Sequence, residues 1–216
     1  MVVRSSRAII LQGSDLPKKS FFIVTEGIDQ SGKETQSELL RKRFRKEGYK
    51  SVMISFPNYK TGIGKLIKSF LNGKIQCTPK VRHMLLSANR WETKAEIEDY
   101  LRGKFTLICN RYHHSNIPYG MANGLKRSWL ESLDRGLPEP DVVVLLDITP
   151  KISLARKPGG RDIHERDLSY LERVRKQYLE LAREEDWIVI NGEKSIEQVS
   201  RDIWRALSKK LGIRQT

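Results

Sequence analysis

Residues Phe21 to Thr35 read FFIVTEGIDQSGKET, an apolar, β-prone run that stops at a glycine, loops, and reaches a lysine where a helical pattern begins. The spacing of Gly27 and Gly32-Lys33, with four residues between the glycines, is that of a phosphate-binding loop. Glycines let backbone N–H groups converge on a polyphosphate, and the lysine reaches its terminal phosphates. Gly27, Ile28, Asp29, Gln30, Ser31, Gly32, Lys33, Glu34 and Thr35 are therefore candidate nucleoside triphosphate ligands. Lys33 is also a catalytic candidate, and without ligand its side chain is expected to face solvent. One position departs from the pattern. The residue after the lysine is ordinarily Ser or Thr, whose hydroxyl helps hold Mg²⁺, and here it is Glu34.

Apolar runs recur at 52–55, 105–109, 142–146 and 187–190, with helical patterns between them. Such alternation predicts a three-layer α/β/α fold, a five-stranded parallel sheet flanked by helices. Thr78-Pro79 marks a helix start, Gly103 ends the run that follows, and Thr149-Pro150 repeats the start signal after the fourth strand. A long helix is thus expected from Lys80 to Leu101. Ligands of parallel sheets bind beyond the carboxyl ends of the strands. Phe56-Pro57, Asn110-Arg111-Tyr112 and Asp147 occupy those positions.

A chain of 216 residues suits one domain, expected over residues 21–216, preceded by an extension over residues 1–20 that forms an added strand or an arm. The net charge of +14 draws in acidic ligands, nucleotides and nucleic acids alike. The two cysteines, Cys77 and Cys109, lack the spacing of a metal site or a disulfide framework. No apolar run approaches the roughly 20 residues of a membrane helix, and the N-terminal segment makes a poor signal peptide. A cytoplasmic protein without membrane contact is expected.

Taken together, EGIDQSGK, FPN (Phe56 to Asn58), GIGKLI, LLSANRWE (Leu85 to Glu92), NRY (Asn110 to Tyr112), GLPEPD and HERDLSYLERVRKQYLELA resemble the thymidylate kinase family of P-loop nucleoside monophosphate kinases, from Phe21 to about Leu207. The resemblance implies Mg²⁺-dependent transfer of the γ-phosphoryl group of ATP to dTMP, and a homodimer packed through helices. It implies a dTMP site of Asp29, Phe56, Leu86, Arg90, Arg111, Ser115 and Tyr119, with Asp29 facing the sugar, Arg90 the base and Arg111 the acceptor phosphate. The stretch RKPGGRDIHER, 156–166, resembles the family's mobile lid. Gln30 stands where some members carry an arginine, so catalytic charge is expected from Arg156, Arg161 and Arg166 of that lid, beside Lys33 and Arg111.

Departures from the family pattern touch both ends of the site. Glu34 replaces a hydroxyl and Asn110 a frequent aspartate, so the expected metal ligands are Glu34 and Asn110, with the carboxylate moved from strand to loop. Leu86 stands where relatives stack an aromatic ring on thymine, and Tyr59 where they carry an arginine. Two alternatives stay open: a kinase for another nucleoside monophosphate such as dUMP, or a weakly catalytic nucleotide- or nucleic-acid-binding relative. The basic run Arg41 to Lys46 lies on a predicted helix whose charges can face solvent, so nucleic acid is not the expected partner.

Overall fold

The computed structural model describes residues 19–156 and 167–213. The extension expected over 1–20 is almost entirely outside the described residues, as are Lys157, Arg161 and Arg166 of the expected lid.

The quoted apolar run forms β1 (Phe22–Glu26), all five residues of which are buried. The other strands are β2 (Ser51–Ser55), β3 (Thr106–Asn110), β4 (Val142–Asp147) and β5 (Ile188–Asn191). They form one parallel sheet in the order β2-β3-β1-β4-β5, with Phe22 opposite Leu107 and Ile23 opposite Val142. Burial on both faces follows from the side-chain period of two in a strand. Phe22 and Val24 join Leu107, Cys109, Val143 and Leu145 in one core, while Ile23 joins Ile108, Val142, Val144 and Leu146 in the other. Each fully buried side chain of this kind contributes about 1.5–3 kcal/mol.

Helices α1 (Lys33–Lys46) and α9 (Ile196–Leu211) cover the second face, and Leu40, Phe44, Ile203, Trp204 and Leu207 pack into it. Across the sheet lie α4 (Lys94–Arg102), α5 (Asn116–Ala122) and α8 (Leu168–Glu184), which supply Ile97, Ile117, Tyr170, Val174, Tyr178 and Leu181. The remaining helices are α2 (Gly62–Leu71), α3 (Pro79–Glu92), α6 (Arg127–Asp134) and α7 (Pro150–Arg156).

The helix expected from Lys80 to Leu101 is two helices. Thr78 caps the first as expected, its hydroxyl accepting from the Val81 N–H. The break falls at Thr93, which closes α3 and opens α4. Its hydroxyl donates back to the Asn89 carbonyl at 3.3 Å, the local bond by which threonine competes with continuous helix.

Strand order sets the place of the site. β1 is central and flanked by β3 and β4, so the loops after β1 and β3 open onto one crevice at the carboxyl ends.

Candidate active site

A cavity of about 1240 Å³ occupies that crevice, lined by Asp29 to Gln36 on one side and by Phe56, Leu86, Arg90, Asn110, Arg111, Tyr112, Ser115 and Tyr119 on the other. Tyr59 also reaches it. Gly27 and Ile28 do not line it. Ile28 is buried in the core, and Gly27 adopts a φ of 144° where a Cβ would meet the Leu146 carbonyl oxygen at 2.6 Å. Gly32 caps α1 with a φ of 92°, in the left-handed region that glycine enters without strain. The loop thus delivers the N-terminus of a 14-residue helix to the cavity, a site that favours phosphate.

Lys33 does not face solvent. It is 7 % exposed, and its ammonium donates to the Ile28 carbonyl at 2.7 Å and to Ser31 Oγ at 3.4 Å. A buried ammonium needs hydrogen-bond acceptors, and here those of its own loop are within reach. Glu34 and Thr35 are the exposed residues of the loop.

Arg111 and Asp29 meet across the cavity, Nη2 to Oδ1 at 2.6 Å, and the Tyr119 hydroxyl donates to Asp29 Oδ2 at 2.8 Å. Arg111 also lies over the Tyr119 ring at 5.3 Å. Burial works against its charge, but Tyr119, Asp29, Tyr178 and Glu26 around it prevail and hold its pKa well above the usual value. Burial, followed by the Asp29 carboxylate, pushes the Tyr119 phenol far up, so it acts as a donor. Arg111 has a φ of 67°, unusual for a non-glycine residue, and its N–H is held by the Thr25 carbonyl at 3.0 Å.

Glu26 organises this wall and escaped the sequence reading. Fully buried at the end of β1, its carboxylate accepts from the Tyr112 N–H at 2.8 Å, the Ser115 hydroxyl at 2.9 Å and the Tyr178 hydroxyl at 2.8 Å. The Ser115 hydroxyl, expected in the dTMP site, is therefore committed to Glu26. A signal was present in the sequence: Glu26 is an acid directly after an apolar strand run.

Arg90 is buried and held in a fork by Asp134, with Nε to Oδ1 at 3.0 Å and Nη2 to Oδ2 at 2.7 Å. Ser87 and Asn116 also donate to that carboxylate, and Asn116 Oδ1 meets His83 Nδ1 at 2.7 Å. The fork fixes the plane of the guanidinium at the cavity wall. Nothing in the sequence around Asp134 distinguishes it from a surface acid. Asn89 ties the FPN segment down: its Oδ1 accepts from the Asn58 N–H at 2.7 Å and its Nδ2 donates to Thr61 Oγ1 at 2.9 Å.

Arg156, the described residue of the expected lid, donates to the Gln30 carbonyl at 3.1 Å and the Gly192 carbonyl at 2.7 Å. Gly192, Lys194 and Ile196 also line the cavity and were not singled out from sequence. For a cation, the relevant atom is Asn110 Oδ1, a buried acceptor that makes no hydrogen bond. Glu34 lines the same cavity, so the donors are two oxygens, the type that Mg²⁺ accepts.

The sequence matches the family described as thymidylate kinase over residues 25–203. It is 35 % identical to a thymidylate kinase of Plasmodium falciparum (isolate 3D7), covering 91 % of this chain and 93 % of that protein. It is 38 % identical to one of Schizosaccharomyces pombe, covering 84 % and 88 % respectively. Among solved structures, a thymidylate kinase of Candida albicans superposes with a TM-score of 0.79 at 29 % identity, covering 92 % of this chain and 96 % of that one.

Proposed function

The chain belongs to the thymidylate kinase family and transfers phosphoryl from ATP to dTMP, and we propose that the residues of its central cavity divide the work as follows. Lys33 and the backbone N–H groups of the loop hold the β- and γ-phosphates of ATP. Arg111 receives the acceptor phosphate, which displaces Asp29 from the guanidinium and leaves an Asp29 oxygen for the deoxyribose 3′-hydroxyl. Arg90, oriented by Asp134, faces the base, with Phe56 and Leu86 as apolar walls. An oxygen of dTMP then attacks the γ-phosphorus, the bond from that phosphorus to the β–γ bridging oxygen breaks, and ADP leaves. Alignment and fixed charge suffice for this reaction without a covalent intermediate.

Glu34 and the Asn110 amide oxygen are the residues that would hold Mg²⁺. When bound, the ion neutralises charge on the β- and γ-phosphate oxygens. Arg156, with Arg161 and Arg166 of a lid over residues 156–166, supplies the charge that Gln30 does not. The carrying observation is that one cavity joins the phosphate loop to Arg111, Tyr119 and Arg90, so donor and acceptor share it.

The protein acts as a cytosolic homodimer. Val81, Met84 and Trp91 on α3 and Leu66 on α2 are 38–45 % exposed, and the α3 residues recur at helical spacing as an apolar stripe. Among the described residues no helix is long and apolar enough to cross a membrane.

A second acceptor is favoured by one residue. Leu86 lines the cavity without an aromatic face, which weakens selection for the thymine ring and admits dUMP. ADP release with ATP and Mg²⁺ across dTMP, dUMP, dCMP, dGMP and AMP tests both readings. The highest kcat/KM is expected for dTMP, with dUMP next. A preference for AMP or dGMP, or ADP release independent of acceptor, would sink the assignment.

A further inference from the structure

The residues that follow the acceptor-side arginine carry a chemistry the kinase reaction does not use. Arg111 and Tyr112 lead into a 3-10 turn, His113–Ser115, that puts two imidazoles side by side. Glu139 comes from the separate segment that leads into β4. One potential ligand atom from each of His113, His114 and Glu139 lies within 4.8 Å of the others. His113 Nε2 stands 3.2 Å from Glu139 Oε2. Two ligands at 2.0–2.2 Å from a tetrahedral zinc stand about 3.3 Å apart, so this pair already has the separation required.

A second observation is independent of that pair. His114 is 5 % exposed, backed edge-on by Trp187 at 5.2 Å, and its Nδ1 is buried without a hydrogen bond. A buried ring nitrogen with no partner is an uncommon and unfavourable arrangement. We infer that His113, His114 and Glu139 form a binding site for a Zn²⁺-class cation, which clamps the turn after β3 to the segment before β4. Two imidazoles and one carboxylate suit Zn²⁺, Co²⁺ or Ni²⁺, whereas the oxygen donors at Glu34 and Asn110 suit Mg²⁺. The fourth position is taken by water or another small ligand.

Binding requires one rearrangement. The two rings are stacked at 4.0 Å with 25° between their planes, and a metal about 2 Å beyond each nitrogen must lie near both planes. The stack must therefore open. His113 and Glu139 can make that adjustment, since their side chains are 15 % and 70 % exposed. His114 stays fixed against Trp187.

The test is calorimetric titration of the full, tag-free chain with Zn²⁺ in excess Mg²⁺, repeated with Co²⁺ to read the visible bands of a tetrahedral nitrogen and oxygen site. One equivalent is expected. His113→Ala and Glu139→Ala, at accessible positions, should each weaken binding at least about tenfold and abolish the cobalt bands. His114→Gln keeps the bulk of the buried side chain and should do the same. Absence of a one-equivalent site in the parent, or an unchanged isotherm in any of the three variants, overturns the proposal.

Discussion

Lys33 is held by the loop it serves. Its bonds to the Ile28 carbonyl and Ser31 hold the loop in shape, beside the phosphate-binding role proposed for it. Lys33→Ala is expected to reduce turnover on the order of 10³-fold, as loss of a phosphate-clamping charge does, and to lower stability by about 1–2 kcal/mol. Steady-state kinetics with urea denaturation checks both, and unchanged ADP release would remove the phosphate-loop mechanism. Glu26 offers a different test, because its carboxylate serves three donors. Glu26→Gln places an amide N–H against one of them and is expected to cost about 2–3 kcal/mol. It should raise the dTMP requirement more than the ATP requirement, since the wall it organises carries Arg111. Equal changes in both would deny it that role. For the metal pair, Glu34→Thr alone should weaken Mg²⁺ use, and adding Asn110→Asp should recover much of the loss, because groups that share one ligand are not additive. Additive effects across Mg²⁺ titrations of the two single variants and the double variant would show Glu34 to be a defect.

At the scale of elements, α7 and α3 do what their sequence patterns only hinted at. The last residue of α7, Arg156, bridges the phosphate loop to the loop after β5, so the start of the expected lid is anchored to the site it would cover. Neutralising Arg156, Arg161 and Arg166 together should lower kcat on the order of 10³-fold, by the scale of arginine fingers. Single-turnover rates within a few-fold of the parent would mean that the segment is a solvated connection. In α3, Asn89 and Arg90 point to different tasks, one pinning the FPN segment and one meeting Asp134. The break at Thr93 lets α4 bury Ile97 in the core.

For the whole molecule, the apolar stripe of α2 and α3 is the feature that a lone chain leaves unexplained. Leu66→Glu with Met84→Glu introduces a charge on each of these helices without touching the cavity lining. Light scattering is expected to give twice the 25.0 kDa chain mass for the parent and the single mass for the variant. A parent that scatters as a monomer at micromolar concentration would remove the dimer.

The sequence by itself determined the architecture and the position of the loop from Asp29 to Thr35 at the cavity, because both rest on local patterns. Apolar runs, helix caps and the Gly27 to Lys33 spacing act through neighbouring residues, and the strands after the first lie within one residue of the runs at 52–55, 105–109, 142–146 and 187–190. The opposite wall of the cavity was legible as a list of residues whose bonds could not be read. Asp134 lies 44 positions from Arg90, and Glu26 is 152 positions from Tyr178. Only the tertiary structure decided that Asp29 holds Arg111 and Tyr119, that Ser115 serves Glu26, and that Lys33 turns inward. Each is a choice of partner for a buried polar group, and burial, which makes the partner obligatory, exists only once the sheet and its helices have closed around it.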